Sequence, residues 1–242
     1  MEVLFVPEAG PAERIGWTVF WAAAILGGSY FLLSWRVGHA ESRGSATPSE
    51  LSARYRGLAD RWVKGGRPRP AVGAYAAAIR YTSRADASLY WARGDAWMLL
   101  KAYREAGRDY DLAAAAAPGA PYPLIGKAMS LAMEGRHQDA VGFAERALAL
   151  DPGLELAYFW RGFAEERLGK LDEAERDYGL AIERNPSAGN YYMARAVVRL
   201  KRKDLGGAKS DLERGVSLNP QLTGTPLFQS IRKAYPRLLP AS

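Results

Sequence analysis

The sequence predicts an all-α chain in which stacked helical hairpins follow one membrane-spanning helix. Three observations predict it. Pro118, Pro152, Pro186 and Pro220 recur at intervals of 34 residues, and Asp151, Asn185 and Asn219 stand directly before the last three. Small residues recur at matching places inside each interval, as at Gly94, Ala128, Gly162 and Ala196. Finally, residues 15–35, IGWTVFWAAAILGGSYFLLSW, carry no charge. Proline cannot donate to a helical ladder, so an Asp/Asn-Pro pair closes one helix and opens a turn. A period of this length holds one helix-turn-helix unit.

The apolar run comes first in the chain. As a helix, its 21 residues extend about 31 Å, which matches the hydrocarbon core of a bilayer. Trp17 lies near one end and Tyr30 and Trp35 near the other, where amphipathic rings settle at headgroup level. Ala23 with Gly27, and Ala24 with Gly28, place small residues four apart, a spacing that admits close approach of another transmembrane helix. The competing reading is a cleaved signal peptide, because Gly38-His39-Ala40 offers small residues to a peptidase. Against it stand Glu2, Glu8 and Glu13, where a basic start is needed, and the length of the run. Arg14 is alone on the N-terminal side, whereas Arg36, Arg43, Arg54 and Arg56 follow the span. The positive-inside rule therefore places the remainder on the cytoplasmic side of a bacterial inner membrane, with a periplasmic domain as the alternative. The expected division is an N-terminal segment 1–14, the membrane helix 15–35, a Gly/Ser/Ala/Pro-rich linker 36–49, repeats 50–222, and a capping helix and tail 223–242.

The interval 155–188 resembles a tetratricopeptide repeat. Tyr158 takes the place of the signature Trp, and Gly162, Ala174, Tyr178, Ala181 and Pro186 take the following signature positions. Interval 121–154 has Leu124, Ala128, Leu131, Ala140, Ala144, Ala147 and Pro152 at equivalent places, and 87–120 has Tyr90, Gly94, Trp97, Ala106, Tyr110, Ala113 and Pro118. Interval 189–222 has Tyr192, Ala196, Ala208, Leu212, Gly215 and Pro220. A degenerate fifth unit precedes them with Tyr55, Ala59, Trp62, Ala71, Tyr75 and Ala78, a one-residue slip, and a basic, Pro-rich turn from Lys64 to Pro70. Pro226 to Tyr235 reads as an amphipathic helix covering the last hairpin. The resemblance implies a right-handed α-solenoid of four clear hairpins, one degenerate hairpin and a C-terminal cap.

It also implies a concave groove lined by the first helix of each hairpin, where the family holds peptides or helices. Carried onto this sequence, the groove comprises Trp91, Asp95 and Met98; Tyr122, Ile125, Met129 and Met133; Phe159, Phe163 and Glu166; and Asn190, Met193, Val197 and Leu200. Most are apolar, and an exposed strip of that kind needs a cover. The expected cover is an amphipathic helix or apolar segment of another protein, to which the methionines adapt. The Lys and Asn with which some members clamp a terminal carboxylate are replaced by Arg56 and Asp60.

The sequence offers little for catalysis. It contains no Cys and only two His, His39 and His137, so neither a Cys-containing zinc site, a disulfide framework nor a His-based triad is expected, and no cofactor is implied. Carboxylates such as Glu165, Glu166, Asp172 and Glu173 fall among Arg and Lys at helical spacing, as surface pairs do. The net charge of +7 favours anionic surfaces. Its densest cluster, Arg199, Lys201, Arg202 and Lys203, is read as a basic surface facing lipid or an acidic subunit, not nucleic acid, since exposed aromatics are not interleaved with it. The expectation is a non-enzymatic, membrane-anchored scaffold whose partners are proteins, membrane-complex subunits foremost, and the bilayer. It would act in assembly or stabilisation of a membrane complex, or, alternatively, as an accessory subunit of a respiratory or photosynthetic one.

Overall fold

The computed structural model describes residues 46–82, 84–236 and 238. The expected membrane helix, with Trp17, Ala23, Gly27, Gly28 and Trp35, lies outside the described residues. Among those described, no helix is long and apolar enough to cross a membrane. They form eleven α-helices and no strand.

Five hairpins follow one another: α1 Pro48–Lys64 with α2 Pro68–Arg80, α3 Ala87–Leu99 with α4 Tyr103–Ala116, α5 Pro121–Met133 with α6 His137–Leu150, α7 Glu155–Arg167 with α8 Leu171–Arg184, and α9 Gly189–Lys201 with α10 Leu205–Leu218. A 3₁₀ turn, Pro220–Gly224, leads into the last helix, α11 Pro226–Ala234. The first helices of hairpins two to five therefore start 34 residues apart, as the prolines require.

Two boundaries differ from the sequence reading for the same reason, namely that proline is welcome in a first helical turn. Pro48 and Ser49, read as linker, open α1. Thr47 caps them, its Oγ1 accepting from Glu50 N while Glu50 Oε2 accepts from Thr47 N. The basic turn 64–70 contracts to 65–67, because Pro68 and Pro70 belong to the first turn of α2. Each hairpin turns through one residue of left-handed backbone: Gly66, Lys101, Gly135, Gly169 and Lys203. The step from Gly66 to Lys101 is one residue longer than the others and locates the slip. Lys101 and Lys203 hold φ of 58° and 65°, which disfavours a side chain with a Cβ.

The small residues mark where helices touch. Ala59, Ala71, Ala78, Ala106, Ala113, Ala128, Ala140, Ala144, Ala147, Ala174, Ala181, Ala196 and Ala208 are all fully buried. Tyr110 and Tyr178, also fully buried, fill the space beside them. The ring of Tyr110 is wedged so tightly that a Cβ on Gly94 would come within 2.8 Å of it, and one on Gly126 within 2.6 Å. At the C-terminal end Phe228 and Ile231 of α11 pack on Met193, Leu200 and Leu212, closing the apolar face of the last hairpin.

Successive first helices touch one another, as α5 does α3 and α7, while successive second helices stand farther apart. The stack is thus curved, with α1, α3, α5, α7 and α9 on its inner side.

Candidate functional site

The inner side is read from positions 2, 5, 9 and 12 of each first helix, with Met133 one place further on. Of the residues expected there, Tyr122 and Met133 are 51% and 42% exposed. Trp91, Met98, Met129, Phe159, Phe163 and Val197 are half-buried. Ile125 and Met193 are not available to a partner. Ile125 packs with Leu124, Ala147 and Leu154, and Met193 joins the cluster under α11. Leu200, in that same cluster, is buried too, because the capping helix turns this end of the face into core. Leu99, 59% exposed at the end of α3, extends the apolar surface and was missed; it follows Met98 as Met133 follows Ala132, which is a signal the repeat alignment could have supplied.

Aromatic contacts join α3 to α5 and α7 to α9 along the inner side. Trp91 meets Tyr110 at 5.2 Å and Tyr122 edge-on at 6.3 Å, linking α3, α4 and α5. Phe159 stacks on Tyr191 at 5.0 Å and meets Trp160 at 5.3 Å, while Trp160 meets Phe163 at 5.5 Å. These rings are positioned before any partner arrives, so little ordering remains for binding to oppose.

The carboxylates expected on this surface, Asp95 and Glu166, and Asp60 in the first hairpin, are each held by a tyrosine, a pairing the sequence reading did not anticipate. Tyr75 donates to Asp60 and Tyr110 to Asp95, both at 2.6 Å, and Tyr178 donates to Glu166 at 3.1 Å. Each tyrosine crosses its hairpin from the second helix to satisfy an acid on the first. Burial, with the neighbouring carboxylates second, pushes the Tyr110 and Tyr178 hydroxyls well above their ordinary pKa, so both remain donors. Burial also raises Asp95, against the hydrogen bonds from Tyr110 and Trp91 that favour its charged form. The Asp-to-Tyr separation of 15 residues, present twice, is the signal that was available.

A second ladder runs between the helices of the second, fourth and fifth hairpins. Arg93, Arg161 and Arg195 make two-pronged bonds to Asp109, Asp177 and Asp211, each 16 residues on, at 2.6–2.9 Å. Asp211 additionally accepts from Arg199 at 3.0 Å. Beside Asp177 lies Glu165, 9% exposed, with Oε2 enclosed and without a hydrogen-bond partner. Desolvation, and then the charge of Asp177, push Glu165 up to about 7, against the pull of Arg161 and with a smaller push from Glu173.

This carboxyl gives a pH dependence whose sign follows from linkage. The folded state binds more protons than the unfolded one between the ordinary value of 4.5 and about 7, so Glu165 lowers stability progressively as pH rises through that interval. A shift of this size corresponds to about 3 kcal/mol as a ceiling. Glu165→Gln is expected to exceed the native chain in urea resistance at pH 8 and to converge with it near pH 4.

The basic cluster is largely consumed inside the molecule. Arg199 pairs with Glu175 at 2.8 Å as well as with Asp211; Lys201 pairs with Glu166 at 2.6 Å; Arg202 pairs with Asp172 at 2.8 Å and also with Glu175. Lys203 lies at the left-handed turn. These bonds join α9 to α7 and α8, so most of the cluster is a joint between hairpins, and less charge than expected faces outward. Sequence spacing could not reveal this, because the partners on α7 and α8 lie 24 to 35 residues away. No cluster of three or more potential metal ligands occurs among the described residues.

Tetratricopeptide repeat models match residues 155–188 and residues 56–121. The chain is a tetratricopeptide repeat protein. It is 31% identical over 110 residues to the heat-shock cognate co-chaperone sgt12 of Aspergillus fumigatus, matching 46% of this chain and 32% of that protein. It spans a third or less of the curated relatives it matches. Among solved structures, this tetratricopeptide repeat protein superposes on TTC0263 of Thermus thermophilus with a TM-score of 0.64 and 16% identity, covering 78% of this chain and 100% of the other. On YrrB, described as a tetratricopeptide repeat protein with an unusual peptide-binding site, the TM-score is 0.52 with 20% identity, covering 74% and 90% of the two chains. At these identities the likeness concerns the fold.

Proposed function

We propose that this tetratricopeptide repeat protein is a non-catalytic, membrane-anchored scaffold. It holds a segment of a partner protein along the inner side of its hairpin stack, and the partner is a subunit of a membrane complex under assembly or stabilisation. The observation that carries the reading is the apolar surface running from α3 to α9, which leaves Leu99, Tyr122 and Met133 exposed on helices otherwise packed tightly. Preplaced rings and adaptable methionines on such a face suit the side chains of a helix or extended segment. The peptide-binding description of YrrB supports a peptide-like occupant. The co-chaperone name of sgt12 raises a chaperone tail as an occupant, but that reading finds little support here: Arg56 donates to Ser88 and Asp60 accepts from Tyr75. The uncharged run 15–35 supports the anchor, and the arginines after it support a cytoplasmic domain.

The test is affinity purification of the full chain from membranes in mild detergent, with identification of the retained proteins. Tyr122→Asp combined with Met133→Asp removes two exposed contacts and leaves the core intact. We expect it to reduce recovery of the specific partner at least tenfold with an unchanged melting temperature. Equal recovery would overturn the inner-side reading, and extraction of the chain by salt or carbonate without detergent would overturn the anchor. Retention in stoichiometric amount within the mature complex would mark it as a resident subunit instead of an assembly factor.

A further inference from the structure

The interhelical ladder is absent from the first hairpin, which has Leu58 and Ala74 at these places, and it breaks again at the third. Where the second, fourth and fifth hairpins carry an Arg and, 16 residues later, an Asp, the third carries Lys127 and Phe143. Lysine lacks the planar fork that grips a carboxylate with two parallel bonds, and phenylalanine offers it nothing to accept. Lys127 therefore reaches into the preceding hairpin, donating to Asp111 Oδ2 at 2.5 Å and to the Gly107 carbonyl at 3.2 Å. The Phe143 ring is left as an apolar wall, with Lys127 Nζ 5.9 Å and the Arg146 guanidinium 4.8 Å from its centre.

This wall bounds a cleft of about 570 Å³ on the outer side of the curve, between α4 and α6 and floored by α5. Ala115, Pro118, Leu124 and Leu150 are among its other apolar lining residues, and Leu150 is 47% exposed. At its rim Arg146 forms no ion pair or hydrogen bond among the described residues, in contrast to the ladder arginines. A guanidinium seated on an aromatic ring next to an apolar hollow is matched by a carboxylate on an apolar side-chain body. There two charge-assisted bonds form beside buried hydrophobic area, whereas a cationic visitor would meet Arg146 as a like charge; the one carboxylate of the lining, Asp111, is held by Lys127.

The geometry points to this cleft as a second docking site, separate from the inner side, that receives an acidic segment of a protein partner carrying an aromatic or leucine side chain, its carboxylate on Arg146. The site does not depend on the inner-side reading. The experiment uses the full chain in detergent and isothermal titration of two synthetic peptides, acetyl-Ala-Glu-Phe-Leu-Glu-Ala-amide and the same peptide with both Glu replaced by Gln. The Glu peptide is expected to bind at least tenfold more tightly. Arg146→Gln is expected to erase the difference between the peptides, and Ala115→Trp, which fills the cleft from an exposed position, to abolish binding of both. The inner-side pair Tyr122→Asp/Met133→Asp should leave affinity unchanged, and thermal melting verifies that each variant is folded. Equal affinity of the two peptides, absence of binding, or binding that survives Ala115→Trp but is lost with the inner-side pair would overturn the assignment.

Discussion

Gly126→Ala is expected to lower the melting temperature by about 5–10 °C, an effect of about 2–3 kcal/mol for a domain of this size. One methyl group has this consequence because of where it would go. The added Cβ would lie 2.6, 2.7 and 2.9 Å from three atoms of the Tyr110 ring. That ring is fully buried, hemmed in by Gly94 as well, and fixed at its tip by the bond to Asp95, so it has little room to retreat. The control is Gly142→Ala on α6, whose added Cβ meets nothing within 4 Å. Since alanine is favoured over glycine within a helix by about 1 kcal/mol, that variant is expected to be neutral or slightly stabilised. Thermal melting of the two side by side separates packing from helix propensity.

Asp211→Asn is expected to cost about 3 kcal/mol in urea unfolding, more than the same change at either other rung of the ladder. Asp211 is 3% exposed and answers two arginines, Arg195 through both prongs and Arg199 through a third bond. The amide would leave the mostly enclosed Arg195 guanidinium without its carboxylate, while Arg199 keeps Glu175. Asp177→Asn should cost only about 1 kcal/mol, because losing its pair with Arg161 is offset by relief of Glu165, whose carboxyl Asp177 repels. A larger loss at Asp177 than at Asp211 would contradict the arrangement of charges described above.

The reason so much of the fold was legible is that a repeat states each structural demand several times. Ala106, Ala140, Ala174 and Ala208 recur every 34 residues, and each is fully buried, since two helix backbones approach there and leave room for a methyl group only. The helix starts at Ala87, Pro121, Glu155 and Gly189 follow from the same arithmetic. What escaped notice belongs to single repeats or to distant partners. Gly126 has no glycine counterpart in its neighbours, and its need arises from a tyrosine of the preceding hairpin. Ile125 and Met193 occupy groove positions by alignment, but neighbouring side chains seal the first and the capping helix the second. The cluster from Arg199 to Lys203 looks free in the sequence because its carboxylates lie on other helices.

The joints between hairpins are not alike. The first meets the second mainly through Leu89 in one cluster with Ala74, Tyr75 and Ala78, whereas the fourth meets the fifth through Tyr191 and Val198 packed with Ile182 and Tyr178 and, in addition, through crossing bonds from Arg199, Lys201 and Arg202 to Glu175, Glu166 and Asp172. Ionic strength loosens attraction between charges and barely touches the packing of hydrocarbon. Brine therefore loosens one part of the far joint and leaves the near one as it was.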